Sequence, residues 1–238
     1  MDIDERVWDS VSMKCWICGD EATSREHMIK ASDLRGCFSN LSQNKPIYVH
    51  LSTKKNIPVG SVKSPRFKSA AILCHTCNSK RTQPYDRAWE ILSDYLIKNW
   101  QQIEQAGEFD LSKIFDQNHK PLDAYLYFVK LFGCRIVEHG IPVDIISFSR
   151  ALLERTPHND VYLAFGPCPD KTDHKIVGLT QIDSTNLNGD PIFASWFYMV
   201  NQVAVNIMYS PIHTSRAIMG NVWHPSYPGS VVRLTRWN

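Results

Sequence analysis

Two pairs of cysteines, Cys15-Trp-Ile-Cys18 and Cys74-His-Thr-Cys77, carry the clearest chemistry in this chain of 238 residues. Two residues between cysteines let both thiolates turn toward one ion from a tight knuckle. Gly19, directly after the first pair, permits the backbone torsion that such a turn needs. Two knuckles complete a tetrahedral four-sulfur shell of the kind that holds Zn2+ at about 2.3 Å from each sulfur. A closed shell leaves no position for substrate, so this zinc is expected to be structural. Two other readings of these residues stand beside it: redox thiols, and His75 replacing one cysteine as ligand. Cys37, Cys134 and Cys168 have no spaced partner and read as buried thiols. Seven cysteines is an odd number, and a disulfide framework would leave one over.

Around the knuckles lie further polar groups. Thr23-Ser-Arg-Glu26-His27-Met-Ile-Lys30 follows the first, and Asn78-Ser-Lys80-Arg81 follows the second. The chain order is knuckle, acid–His pair, spacer, apolar strand Ala70–Leu73, knuckle, and Asn at a helix start. This order, from about Cys15 to Arg81, resembles the HNH endonucleases, whose ββα-metal fold is often braced by two zinc-binding cysteine pairs. The resemblance implies that His27 is the general base and that Glu26 and Asn78 hold a catalytic Mg2+ or Mn2+. It also implies that Lys80 and Arg81 contact phosphates of a DNA substrate. The residue types suit phosphodiester hydrolysis: a neutral imidazole can take a proton from water near pH 7. A carboxylate and an amide oxygen give a hard site that leaves positions for water and phosphate. The family's middle Asn has no counterpart in Arg66-Phe-Lys-Ser69; Ser69, or Asn56 from the preceding segment, stands in reach of that role. Asn78 equally suits a helix cap.

Charge is unevenly placed. Between Lys14 and Arg87 there are 13 Lys/Arg against 5 Asp/Glu, whereas from Gln101 onward 11 Lys/Arg meet 13 Asp/Glu. A basic front part suits a polyanion such as DNA. Lys63, Arg66 and Lys68 are its candidate backbone contacts, together with Lys45, Lys54 and Lys55. A solvated basic loop with no partner has the same composition. No apolar run is long enough to cross a bilayer. Residues 1–12 are acidic and polar without an apolar stretch, so a reducing cytoplasm is the expected compartment.

The elements that must position these groups are legible in outline, and they predict an α+β fold. Residues 1–13 read as a leader. Residues 14–106 read as the zinc-braced unit, with a basic insertion over Phe38–Ser69 and a long helix opened by Pro84 and stopped near Gly107. Residues 107–238 read as an α+β region of unassigned role. Helices are predicted at about Pro121–Glu138 and Val143–Arg155. Strands are predicted at Val161–Phe165, Lys175–Leu179, Ile192–Val200, Val203–Tyr209 and Val231–Leu234, forming an antiparallel sheet. The apolar stretch Pro191–Tyr209 suits a central strand or the face of a homodimer. The functional expectation is a metal-dependent DNA endonuclease. The alternative is a non-catalytic zinc module that binds nucleic acid or a protein.

Overall fold

The structure, a computed structural model, describes residues 13–50, 54–169, 175–187, 190–211 and 219–237. The expected leader lies outside these residues except for Met13. The fold is α+β with antiparallel sheets throughout.

In the first part, strand β1 (Ser24–His27) pairs antiparallel with β4 (Lys68–Leu73). Between them run helix α1 (Ala31–Cys37) and a small hairpin of β2 (Ile47–Val49) and β3 (Ile57–Val59). The insertion thus forms only short strands, as its many Pro, Asn and Gly breakers require. After β4 the chain makes a π-helical turn at Thr76–Arg81 and enters α2 (Gln83–Ala106).

Helix α2 follows its apolar spacing. Tyr85, Ala88, Trp89, Leu92, Leu96, Trp100 and Ile103 are buried, and the Gly107 N–H closes the helix on the Ile103 carbonyl at φ +72°. Helix α3 (Pro121–His139) is buried on all sides from Asp123 to Ile136. A helix buried all round lies at the centre of the molecule. Helix α4 (Ile145–Glu154) begins where the Asp144 carboxylate accepts from the Ile146 N–H.

The remaining strands are β6 (Val161–Pro167), β7 (Val177–Leu179), β8 (Asp183–Leu187), β9 (Asp190–Val200) and β10 (Val203–Tyr209). They form one sheet in the order β6-β10-β9-β7, with β8 also on β9. On β9, Ala194, Trp196, Tyr198 and Val200 alternate inward. The expected last strand leaves this sheet. β11 (Val231–Arg233) pairs instead with β5 (Glu108–Asp110), just after α2. The Leu234 and Thr235 N–H groups fasten it to the Gly107 and Phe165 carbonyls. Strands β5 and β8 escape a sequence reading because Glu108-Phe-Asp and Asp183-Ser-Thr-Asn-Leu have little apolar alternation.

One apolar core runs from Cys15 and Ile17 through α2 and α3 to Trp196 and Val232, crossing the turn at Gly107. Polar bonds tie the same parts. The Asp33 carboxylate, 3% exposed on α1, accepts from Trp89 Nε1 (2.9 Å) and Ser93 Oγ (3.1 Å) of α2 and from the Tyr198 hydroxyl (2.7 Å) of β9. Burial pushes Asp33 up while these three donors pull it back. Trp16 packs against Gly133, where an added Cβ would sit 2.4 Å from its ring.

His158 leads out of α4 into β6 and gives the fold a pH dependence. Its Nδ1 accepts from the Asp160 N–H at 3.1 Å, so the proton sits on Nε2, facing Ser147 Oγ at 2.8 Å. Burial, assisted by His224 and opposed by Asp144, pushes its pKa from 6.5 down to about 4. A base depressed in the folded state stabilises the fold above pH 6.5, and that stability is lost as pH falls toward 4. Urea titrations across this window should show a loss on the order of 3 kcal/mol. The slope should flatten in His158→Gln.

Candidate metal centre and the adjoining polar cluster

The two knuckles flank the β1–β4 ladder. Gly19 adopts φ +82° and gives its N–H to the Cys15 carbonyl at 2.8 Å, while the Cys15 N–H reaches the Asp20 carbonyl at 2.7 Å. β4 runs straight into Cys74, and the Cys77 N–H points at Cys74 Sγ at 3.3 Å. The sulfurs of Cys15, Cys18, Cys74 and Cys77 all lie within 4.8 Å of one another, with Cys18 and Cys74 3.6 Å apart. A tetrahedral shell with 2.3 Å bonds places its sulfurs about 3.8 Å apart. The four thiols therefore fit a structural metal such as zinc. Arg81 Nη1 lies 3.0 Å from Cys77 Sγ, where its charge offsets that of bound thiolates. His75 is exposed and shares its Nδ1 with Ser79 Oγ at 3.4 Å, and the metal-binding group consists of the four sulfurs. Cys37, Cys134 and Cys168 are buried and form no disulfide among the described residues.

The acid–His pair ends β1. Glu26 is 5% exposed and its carboxylate meets Lys130 Nζ of α3 at 3.1 Å. That ammonium is fully buried and also bonds Asp86 Oδ1 at 3.0 Å and Thr82 Oγ1 at 3.3 Å. Lys30 reaches Asp86 at 3.2 Å and Glu90 at 3.3 Å. Burial and Asp86 push Glu26 up, against Lys130 and Lys30. Burial alone would lower Lys130, but Asp86 and Glu26 outweigh it and hold the ammonium charged. Lys130 was not singled out in the sequence. Its signal is a lone cation inside the apolar run Tyr125–Leu131, which requires buried anions.

His27 is half-buried, and its Nε2 is buried without a partner. Burial, Lys68 and Lys30 lower its pKa, opposed by a bond to the Val62 backbone and by Asp86, so the ring is neutral at pH 7. Lys68 is its partner across the ladder. Asn78 sits inside the π-helical turn, whose cap is His75, while Thr82 caps α2. Its side chain therefore caps neither. Asn78 Nδ2 donates to Ser24 Oγ at 2.8 Å and to the Arg25 carbonyl at 3.2 Å, which fixes the amide orientation. Its Oδ1 is left buried without a partner.

Ser69, fully buried, accepts from the Glu26 N–H at 3.1 Å and donates to the Ala70 carbonyl, fastening the irregular β1–β4 register. Asn56 is exposed ahead of β3, in the left-handed region at φ 56°. Lys63, Arg66 and Lys80 are exposed, and Lys68 is half-buried. Arg25, exposed and also not singled out, binds the Ser69 and Lys68 carbonyls. Among the described residues no helix is long and apolar enough to cross a membrane. Comparison with family models, with curated proteins and with solved structures finds no match.

Two outcomes test these groups. The protein should carry one equivalent of tightly bound metal, measurable by elemental analysis. Cys77→Ser should lose it together with cooperative unfolding, because metal binding in such sites is worth ~10 kcal/mol of folding free energy. Lys130→Met strands the buried Glu26 carboxylate, while Asp86 keeps Lys30, and should cost about 3 kcal/mol in urea denaturation. Adding Glu26→Leu should recover part of that loss.

Proposed function

We propose that the chain is a metal-dependent endonuclease of the HNH kind acting on DNA, with Zn2+ in the four-cysteine site as its structural brace. One observation carries this reading: His27 Nε2 and Asn78 Oδ1 are both buried and unpartnered. Each orphaned atom costs about 1–3 kcal/mol, which calls for a ligand or water that the protein itself does not supply. They come from neighbouring segments, since Asn78 is bound to Ser24 and Arg25, two residues short of His27. The antiparallel β1–β4 pair followed by a helical turn agrees with the ββα arrangement that the sequence resembles.

In this reading His27, kept neutral by burial and by the nearby lysines, takes a proton from the water that attacks phosphorus. Asn78 Oδ1 is an oxygen donor for a divalent ion. When bound, Mg2+ or Mn2+ would offset charge developing on the phosphate. Glu26 is the expected second ligand, but its carboxylate is engaged by Lys130. Its share in holding an ion therefore depends on that pair loosening. Lys63, Arg66, Lys68 and Lys80 supply the cations that follow a DNA backbone.

The Glu26–Lys130 pair favours a second reading. There an ammonium already neutralises the carboxylate, and the unit binds nucleic acid or a protein without cutting. Plasmid DNA incubated with Mg2+ or Mn2+ separates the two. The nuclease reading expects cutting that His27→Ala lowers by on the order of a hundredfold or more while the zinc stays bound. Cutting that survives His27→Ala, or none with either ion, sinks it. Salt-sensitive DNA binding unchanged by that substitution, without cutting, would establish the second reading.

A further inference from the structure

Most buried charges in this molecule are matched. Lys130 has three acceptors, Asp33 has three donors, and Asp123 meets Arg155 at 2.9 and 2.7 Å. Arg135 on α3 differs. It is 5% exposed and makes no ion pair among the described residues. Glu138, the acid nearest in effect, accepts the Ala70 N–H on its Oε1 at 2.9 Å. The guanidinium lies over the Trp196 ring of β9, with its carbon 4.8 Å from the ring centre. Phe132 packs edge-on to the same ring at 6.0 Å.

A guanidinium over a ring face meets the π-system there and not an acceptor atom. Arg135 Nη1 is buried with no acceptor, and so is the indole Nε1 of Trp196. Both groups are donors only. Cation–π attraction stabilises the stack but satisfies neither N–H. Two unsatisfied donors on residues in contact, one of them charged, call for an acceptor, and one that carries negative charge also offsets the buried cation.

We infer that Arg135 and Trp196 form a binding site for a small oxyanion, a carboxylate or a phosphate, which accepts from the guanidinium and the indole N–H. The site uses none of the four cysteines and neither His27 nor Asn78, so it stands apart from the nuclease reading. It gives the helix–sheet half of the chain a ligand chemistry of its own. Arg suits this role better than Lys because its planar fork offers two donors to one oxyanion.

The experiment titrates inorganic phosphate, and separately acetate, into the full chain in chloride buffer at constant ionic strength. The readouts are the indole N–H resonances of 15N-labelled protein, with Trp196 assigned through Trp196→Phe, and the thermal midpoint. The expected result is a saturable shift of the Trp196 resonance and a rising midpoint with at least one anion. The anion that acts identifies the ligand as phosphate or carboxylate. Arg135→Met should abolish the response, and Arg135→Lys should weaken it on the order of tenfold. In the chloride buffer without phosphate or acetate, Arg135→Met should be at least as stable as the parent, since it removes an unpaired buried charge. If the parent's Trp196 resonance shows no saturable shift with either anion, the inference is overturned, whatever the variants do. A response that Arg135→Met retains overturns it equally, since general salting effects need no site.

Discussion

A fully buried ammonium cannot be left unpaired, and Lys130 is such a group. Its three N–H donors go to Glu26 of β1, Asp86 of α2 and Thr82 at the joint between the π-helical turn and α2. The Thr82 hydroxyl passes the connection on to the Cys77 carbonyl at 2.9 Å. One side chain of the central helix thus fixes the end of β1, the start of α2 and the backbone of a metal-site cysteine. Moving any of these would strand charge in a medium where desolvation costs several kcal/mol per ion. The four-cysteine unit and the helical part are therefore parts of one structure.

The sulfur cluster and the Asp33 carboxylate complete this frame from either side. With a metal bound, the cysteines would hold two distant segments against the β1–β4 ladder, which is only four to six residues long and irregular in register. So short a pair is marginal without an external staple. Asp33 does by hydrogen bonds what the cysteines do by sulfur: it joins α1, α2 and β9 through three donors. Burial pushes the Asp33 carboxyl up, and those three bonds offset part of that push.

The same frame shapes the groups proposed for chemistry. Glu26 and His27 are neighbours in sequence, yet one is neutralised by a buried lysine and the other keeps an unpartnered nitrogen. Asn78 is held by its amide nitrogen, which leaves its oxygen free. The protein separates an electrostatic anchor from two open polar atoms within one short stretch of chain. That division is what makes His27 and Asn78, more than Glu26, the residues on which a catalytic reading rests.

Local rules were enough for part of this. The spacing of Cys15, Cys18, Cys74 and Cys77 identified the metal-binding group, because a knuckle needs only two intervening residues and a turn. Helical periodicity with Pro84, Gly107, Pro121 and Gly140 located α2 and α3, because caps and stops act within one turn of chain. Alternation and β-branched residues located β6, β9 and β10. Other features depended on the tertiary structure. β11 joined β5 and left the main sheet, because strand partners are chosen by what lies nearby in space. Glu26 found Lys130 more than a hundred residues away, and Arg135 was left on Trp196 with no ion-pair partner among the described residues. Sequence fixes which groups can carry charge. Only the packed fold decides which of them are desolvated together, and desolvation sets whether a charge becomes an anchor, a base or a binding site.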